Sequence, residues 1–188
     1  MRQEFYDAVV SNPIIVAVKD EAGLEKCLKL SEISVVFILF GEISNISKIV
    51  QKVKNSGKTA VVHMDLIAGL SSKVEAVDFI AEYTEADGII STHIEQIKRA
   101  KDLSLSTVYR IFLIDSKVLD KLNGRIREVA DIVEILPGLM PKMIKMISKK
   151  LNMPIIAGGL ISDKEDVLAA LDAGAIAISS TNEKVWNM

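Results

Sequence analysis

Two consecutive apolar segments near the C-terminus each end in residues suited to binding an anion. Gly158 and Gly159 follow apolar residues 155–157, and hydroxyl and amide side chains close the next segment, residues 175–179. Glycine lets the backbone approach an anion because it has no Cβ, and N–H groups at the start of a short final helix favour negative charge. The same residues also fit a tight turn and a helix cap that bind nothing. The predicted phosphate cup consists of Gly158, Gly159, Ser180, Thr181 and Asn182.

Charged residues also interrupt or end other apolar segments. Burying Arg110 or Glu134 alone would be costly, so they either neutralise each other across neighbouring strands or shape a ligand site. Asp65 can bind a ligand hydroxyl, act as a base, cap a helix or pair with arginine. His63 shares the strand parity of Asp65, so we expect both side chains to point into the barrel interior. We expect His63 to be a buried core residue. The predicted wall of the ligand pocket is Lys19, Asp65, Ser91, Thr92, His93, Arg110 and Glu134.

The elements that must position these residues follow from the alternation of apolar and amphipathic segments. Strands are predicted at residues 13–18, 33–40, 58–65, 86–91, 106–113, 131–136, 155–157 and 175–179. Helices are predicted at residues 21–30, 43–55, 71–83, 94–103, 116–125, 141–151 and 163–173, with a short final helix after Asn182. Asp20, Thr92 and Asp115 stand where helix N-caps are expected.

This order predicts an α/β fold, a compact single-domain TIM-type (β/α)8 barrel spanning residues 1–188 with a short N-terminal leader at residues 1–12. The alternation of strands and short helical crossovers, with no strand that reads as a polar edge, favours closure. The C-terminal ends of the strands would then share the face that carries function. An open doubly wound sheet is the alternative.

The net charge and its distribution bear on nucleic-acid binding. The net charge is −2, which argues against a generic nucleic-acid coat but leaves room for a local basic patch. Candidate residues for such a patch, which a solvated helix face would equally explain, are Lys142, Lys145, Lys149 and Lys150 in one helix and Lys98, Arg99 and Lys101 in another.

Cysteine and histidine usage argues against disulfides and metal sites. Cys27 is the one cysteine, and the 2 histidines stand at unrelated positions, so no zinc-ligand set or internal disulfide is expected. No signal peptide and no apolar run of membrane-spanning length occurs. We therefore expect a soluble protein in a reducing cytoplasm, without cofactor, metal or membrane partner.

Six motifs make the chain resemble the bacterial glycerol-3-phosphate-responsive antiterminator family. They are residues 63–69, 87–92, 110–116, 134–138, 157–161 and 180–182, the last followed by Trp186, and they run in family order through nearly the whole chain. The resemblance implies a TIM-type barrel without enzymatic activity that senses glycerol 3-phosphate and then acts on leader mRNA of glycerol-uptake operons to prevent premature transcription termination. It places phosphate at Gly158, Gly159, Ser180, Thr181 and Asn182, and the glycerol moiety or pocket wall at Asp65, Arg110 and Glu134.

Two positions depart from the family pattern. His93 stands where lysine or arginine is expected, and Lys19 stands where arginine is common, so the ligand face is less basic. The expected partners are glycerol 3-phosphate and leader mRNA, with a homo-oligomer possible. Two further hypotheses stay open: an enzyme acting on a small phosphorylated metabolite, with Asp65 or Glu134 as base, and a ligand-binding barrel that has lost RNA binding.

Overall fold

The computed structural model describes residues 3–122 and 126–188, which form a closed barrel of parallel strands in the order β1 to β8. The strands are β1 (Ile14–Val18), β2 (Val35–Ile38), β3 (Thr59–His63), β4 (Gly88–Ser91), β5 (Ser106–Phe112), β6 (Ile132–Leu136), β7 (Ile155–Gly158) and β8 (Ala177–Ser180). Strand β1 pairs with β2 on one side and with β8 on the other. The barrel is therefore closed, and the predicted fold class is confirmed.

Helices cover the outside of the barrel. They are α1 (Gln3–Ser11), α2 (Glu21–Cys27), α3 (Ile46–Asn55), α4 (Glu75–Tyr83), α5 (Ile94–Asp102), α6 (Ser116–Lys121), α7 (Ile126–Val129), α8 (Pro141–Leu151), α9 (Lys164–Asp172) and α10 (Glu183–Trp186). The helix predicted at residues 116–125 is described as α6, and residues 123–125 of that prediction lie outside the described residues. None of the described helices is long and apolar enough to cross a membrane.

Local sequence signals account for several of the helix starts. Asp20 accepts a hydrogen bond from the backbone N–H of Gly23, and Asp115 accepts one from Val118, so both are N-caps as predicted. Pro141 occupies the first turn of α8, where its missing N–H costs nothing. The prediction for Thr92 was wrong: the N-cap of α5 is His93, and the Thr92 hydroxyl turns to Asp65 instead.

The N-terminal mouth of the barrel is closed by α1. Residues 3–11, within the predicted leader of residues 1–12, form this helix, and residues 1–2 of that leader lie outside the described residues. Phe5 and Val9 are buried against the inward-facing residues of the strands, including Ile15 and Phe37. This plug leaves the opposite mouth, at the C-terminal strand ends, as the open one.

Strand parity decides what faces that mouth. The apolar interior includes Ile15 of β1, Val61 of β3 and Val108 of β5. Because side chains two residues apart point the same way, the next inward positions are Ala17, His63 and Arg110. Toward the open mouth, His63 and Arg110 thus add polar and charged side chains to the interior, whereas Ala17 stays apolar.

Candidate functional site

A cavity of about 420 Å³ lies at the C-terminal ends of the strands. This volume falls within the usual range for small-molecule sites. The residues that line it are Ala17, Leu39, Arg110, Leu136, Gly159, Leu160, Ile161, Ser162, Ser179, Ser180, Thr181 and Asn182. Four of the five residues of the predicted phosphate cup are among them.

The fifth, Gly158, supports the cavity from below. A Cβ at this position would lie 2.6 Å from both Oε1 of Glu134 and Oγ of Ser179, so only glycine fits there. Gly159 has a φ of +75° and Leu160 a φ of +64°, which turn the chain sharply after β7. Within the described residues, the backbone N–H groups of Gly159 and Leu160 donate no hydrogen bond to another protein group. The turn therefore offers donors beside the cavity.

The segment after β8 is held in place by its own hydrogen bonds. The Ser180 hydroxyl donates to the carbonyl of Ile161 at 3.1 Å and accepts from the N–H of Asn182 at 3.1 Å. The Asn182 amide donates to the carbonyl of Ser162 and its oxygen caps α10 at the N–H of Lys184. Trp186 is buried and donates from Nε1 to the carbonyl of Ser180 at 2.8 Å.

These bonds define what the cup can offer an anion. Ser180 and Asn182 already bridge the loops after β7 and β8, while Thr181 is exposed. Helix α10 is short, as predicted, and with only 4 residues its dipole contributes little to anion binding. Donors that remain free for a ligand include the Gly159 and Leu160 N–H groups and the Thr181 side chain.

An ion pair forms the floor of the cavity. Arg110 and Glu134 are register partners on β5 and β6, and Nε of Arg110 donates to Oε2 of Glu134 at 2.6 Å. The Ser179 hydroxyl donates to Oε1 of Glu134 at 2.5 Å. Glu134 is completely buried and Arg110 is 8% exposed. The expected neutralisation across neighbouring strands is present, and Arg110 also lines the cavity.

His63 lies in the same polar layer. It is 3% exposed, and its Nδ1 has no hydrogen-bond partner within the described residues. Burial and the positive charge of Arg110 lower the pKa of His63 to about 4, against the opposite pull of Asp65 and Glu134. His63 is therefore neutral at pH 7, a buried core histidine as expected from the sequence.

Asp65 organises the neighbouring strand ends without lining the cavity. Strand β3 ends at His63, so Asp65 lies in a 3₁₀ turn (Met64–Leu66) and not on the strand, which corrects the predicted strand of residues 58–65. It accepts hydrogen bonds from the Ser91 hydroxyl and from the N–H and hydroxyl of Thr92. Burial raises the pKa of Asp65, but these hydrogen bonds outweigh it and hold the pKa below its usual value.

The rest of the predicted pocket wall lies apart from the cavity lining. Lys19, at the end of β1, and His93, at the start of α5, are exposed. Ser91 is bound to Asp65 and Gln96, so it serves the β3–β4 edge. Of the predicted wall, Arg110 is the residue that the cavity lining contains, with Glu134 directly behind it.

The sequence analysis missed the apolar wall of the cavity. Ala17 and Leu39 share the inward parity of Ile15 and Phe37, so strand parity was the signal that could have found them. The exposed position of Leu160 depends on its positive φ, for which the sequence carries no signal. Within the described residues, no three histidine, cysteine, aspartate or glutamate side chains come together as a metal site.

Comparison with known proteins gives one consistent result. A family model for "Glycerol-3-phosphate responsive antiterminator" matches residues 14–186. The Escherichia coli (strain K12) protein "Uncharacterized protein YgcP" is 42% identical over 178 residues, covering 94% of this chain and 93% of that protein.

Two crystal structures extend this likeness to the fold. The glycerol uptake operon antiterminator regulatory protein from Listeria monocytogenes strain 4b F2365 has a TM-score of 0.88 at 34% identity, covering 93% of this chain and 94% of that chain. A glycerol uptake operon antiterminator-related protein from Thermotoga maritima MSB8 has a TM-score of 0.81 at 31% identity, covering 94% and 99%. These likenesses span nearly the whole chain.

Proposed function

Since the chain belongs to the glycerol-3-phosphate responsive antiterminator family, we propose that it binds glycerol 3-phosphate in this cavity and then acts on leader mRNA to prevent premature transcription termination. The observation that carries the proposal is the cavity at the ends of β7 and β8, which joins the turn at Gly159, the Thr181 side chain and the buried charge of Arg110. Because transcription takes place in the bacterial cytoplasm, the proposal locates the protein there.

The phosphate would bind between the two loops. The N–H groups of Gly159 and Leu160 can donate from one side, and the hydroxyl of Thr181 from the other. Hydrogen bonds to a charged group are each worth about 1.5–3 kcal/mol. Ser180 and Asn182 would act mainly by holding the two loops at a fixed spacing, because their polar atoms already bridge these loops.

The glycerol moiety would reach toward Arg110. Only Nε of Arg110 is committed to Glu134 in the contacts of this pair, and a guanidinium carries five N–H donors in all. The apolar side chains of Ala17 and Leu39 on the same wall suit the carbon backbone of a short polyol. Because the phosphate donors lie at the loops and the apolar wall lies beside Arg110, a ligand with one anionic end would bind in one preferred orientation.

The arrangement supports a sensor over a catalyst. A general base needs a carboxylate with a free lone pair facing the substrate. Glu134 is occupied by Arg110 and Ser179, and Asp65 is occupied by Ser91 and Thr92. Both carboxylates that the sequence offered as bases are thus held in place by the protein's own hydrogen bonds, and neither is part of the cavity lining.

Calorimetric titration of glycerol 3-phosphate, glycerol and inorganic phosphate tests ligand binding. We expect selective binding of glycerol 3-phosphate, weakened at least about tenfold in Thr181→Val, which keeps the side-chain shape but loses the hydroxyl. Thr59→Val is the matched control, because Thr59 begins β3 at the opposite mouth of the barrel. Gly159→Leu should abolish binding, because the φ of +75° strains any side chain there and its Cβ would lie 3.2 Å from Leu136, which lines the cavity.

No binding of glycerol 3-phosphate by the wild-type chain, or equal losses in Thr181→Val and Thr59→Val, would refute the proposed site. Binding to a labelled leader transcript of a glycerol-uptake operon, measured with and without the ligand, tests the second step. Ligand binding without any RNA binding would support the hypothesis of a barrel that has lost RNA recognition.

A further inference from the structure

Charge is distributed unevenly over the helices of this barrel. Although the chain has a net charge of −2, α8 carries four lysines and no acidic residue. Helix α4 shows the opposite composition, with three acidic residues and no basic one. The overall acidic balance therefore hides a locally basic surface.

Three of the α8 lysines form one exposed row. Lys142, Lys145 and Lys149 fall within about 60° of one another at 100° per residue, along about 10 Å of helix axis. All three are exposed, whereas Ile144 and Ile147 are buried on the other side of the helix. We call these three residues the lysine stripe. Lys150 stands outside it and donates to the carbonyl of Leu119.

The lysine stripe has no ion pair in the part of the chain that the structure describes. Within the described residues, no carboxylate lies within ion-pair distance of any of its three lysines. Lys52 and Lys54 on α3 differ, because Lys52 pairs with Glu21 and Glu25 and Lys54 pairs with Asp87.

The basic residues of α5 are also committed. Lys98 pairs with Glu95, and Arg99 pairs with Asp78. Lysines without an ion-pair partner can neutralise the phosphates of a nucleic acid, which releases bound counterions. Of the two basic helices found in the sequence, α8 is therefore the one whose lysines are available to bind a polyanion.

The loop that precedes the lysine stripe contacts the turn after β7 that carries Gly159. Between β6 and α8, the N–H of Gly138 donates to the carbonyl of Gly159 at 3.1 Å. A Cβ on Gly138 would lie 2.8 Å from Cδ1 of Ile161, so the two loops are in close contact. Leu136, at the end of β6, lines the cavity itself. A ligand that fixes the turn at Gly159 would thus fix the start of α8.

We propose that the lysine stripe of α8 binds the phosphate backbone of the leader RNA. This inference rests on the proposed function and names the surface on which it acts. The stripe supplies affinity without reading sequence, because lysine contacts phosphate as a point charge.

Fluorescence anisotropy with a 5′-labelled leader transcript of a glycerol-uptake operon tests this surface, at saturating glycerol 3-phosphate and over roughly 50–200 mM salt. The variant is Lys142→Gln/Lys145→Gln/Lys149→Gln. The control is Lys29→Gln/Lys48→Gln/Lys184→Gln, which removes the same charge from exposed lysines elsewhere on the surface. Each phosphate contact to a single strand contributes about 0.7 to the magnitude of the slope of log K against log salt. We therefore expect this slope to be smaller than that of the wild-type chain by about 2 in the stripe variant and by less than about 0.5 in the control.

The outcomes separate this inference from the function on which it rests. Equal slopes for the stripe variant and the wild-type chain would overturn the stripe and leave RNA binding intact. Equal losses in the stripe variant and the control would also overturn it, because charge and not position would then matter. A wild-type chain that binds glycerol 3-phosphate but no RNA would overturn both. Calorimetry should give the stripe variant unchanged affinity for glycerol 3-phosphate, which excludes misfolding.

Discussion

Replacing Glu134 by glutamine tests whether the buried ion pair holds the floor of the cavity. Glutamine keeps the shape of the side chain and can still accept a hydrogen bond from Arg110, so the main loss is the negative charge. The pair joins Nε and Oε2 at 2.6 Å, with Glu134 fully buried and Arg110 8% exposed. With charge centres about 4 Å apart and an effective dielectric constant of about 20, the lost attraction is about 4 kcal/mol. This agrees with the 3–5 kcal/mol typical of breaking a buried pair from one side.

The assay is urea unfolding followed by circular dichroism. We expect Glu134→Gln to lower the free energy of unfolding by about 3–4 kcal/mol, which corresponds to a decrease in Tm of roughly 10 °C for a chain of this size. The double variant Arg110→Met/Glu134→Gln should recover at least half of that loss, because no buried charge is left unpaired. Glu95→Gln, which breaks the exposed pair with Lys98, is the control and should change stability by less than about 1 kcal/mol.

Two results would refute this reasoning. A loss within about 1 kcal/mol for Glu134→Gln would mean that water screens Arg110 and that the floor of the cavity is wet. A double variant less stable than the single one would mean that Arg110 contributes by packing more than by charge.

Three further predictions follow from burial and geometry. His63 has a pKa of about 4 in the fold against 6.5 unfolded, so the unfolded chain binds its proton first as pH falls; stability should drop by about 3 kcal/mol between pH 6.5 and pH 4. Urea unfolding of His63→Gln across that range should lack this component, and an unchanged pH dependence would contradict it. Gly158→Ala should cost roughly 1–3 kcal/mol in the same assay, because its Cβ would lie 2.6 Å from Glu134 and Ser179; a variant as stable as wild type would show that the floor can move. Burial raises the pKa of Cys27 from 9.0 to about 11, so a colorimetric thiol reagent should react about 100-fold more slowly with the native protein than with the urea-unfolded one, and equal rates would show that the thiol is accessible.

Local sequence determined the elements and one side of the site. Alternating apolar and amphipathic segments fix which residues form strands, because each strand is buried and each helix has one buried face. Caps such as Asp20 and Asp115 act within three residues of their own position, so they can be predicted from the sequence without knowledge of the fold. Gly159 and Thr181 stand at consecutive strand ends, and parallel strands bring those ends to one mouth.

Only the tertiary structure decided how the polar residues are shared. Asp65 could have faced a ligand, but the close approach of β3 and β4 lets Ser91 and Thr92 take up its oxygens. The role of α1 as a plug depends on the width of the barrel mouth, which Phe5 and Val9 fill.

Arg110 and Glu134 show where the division falls. Their apolar neighbours in sequence predicted that each must be neutralised, since a lone buried charge is too costly. Ser179 lies on β8, two strands away from Glu134, and its 2.5 Å bond to Glu134 depends on the register of β6, β7 and β8 and on the space that Gly158 leaves between the two side chains. Sequence sets the direction of each side chain by a period of two residues, whereas the distances between strands are set by how all eight pack around one core.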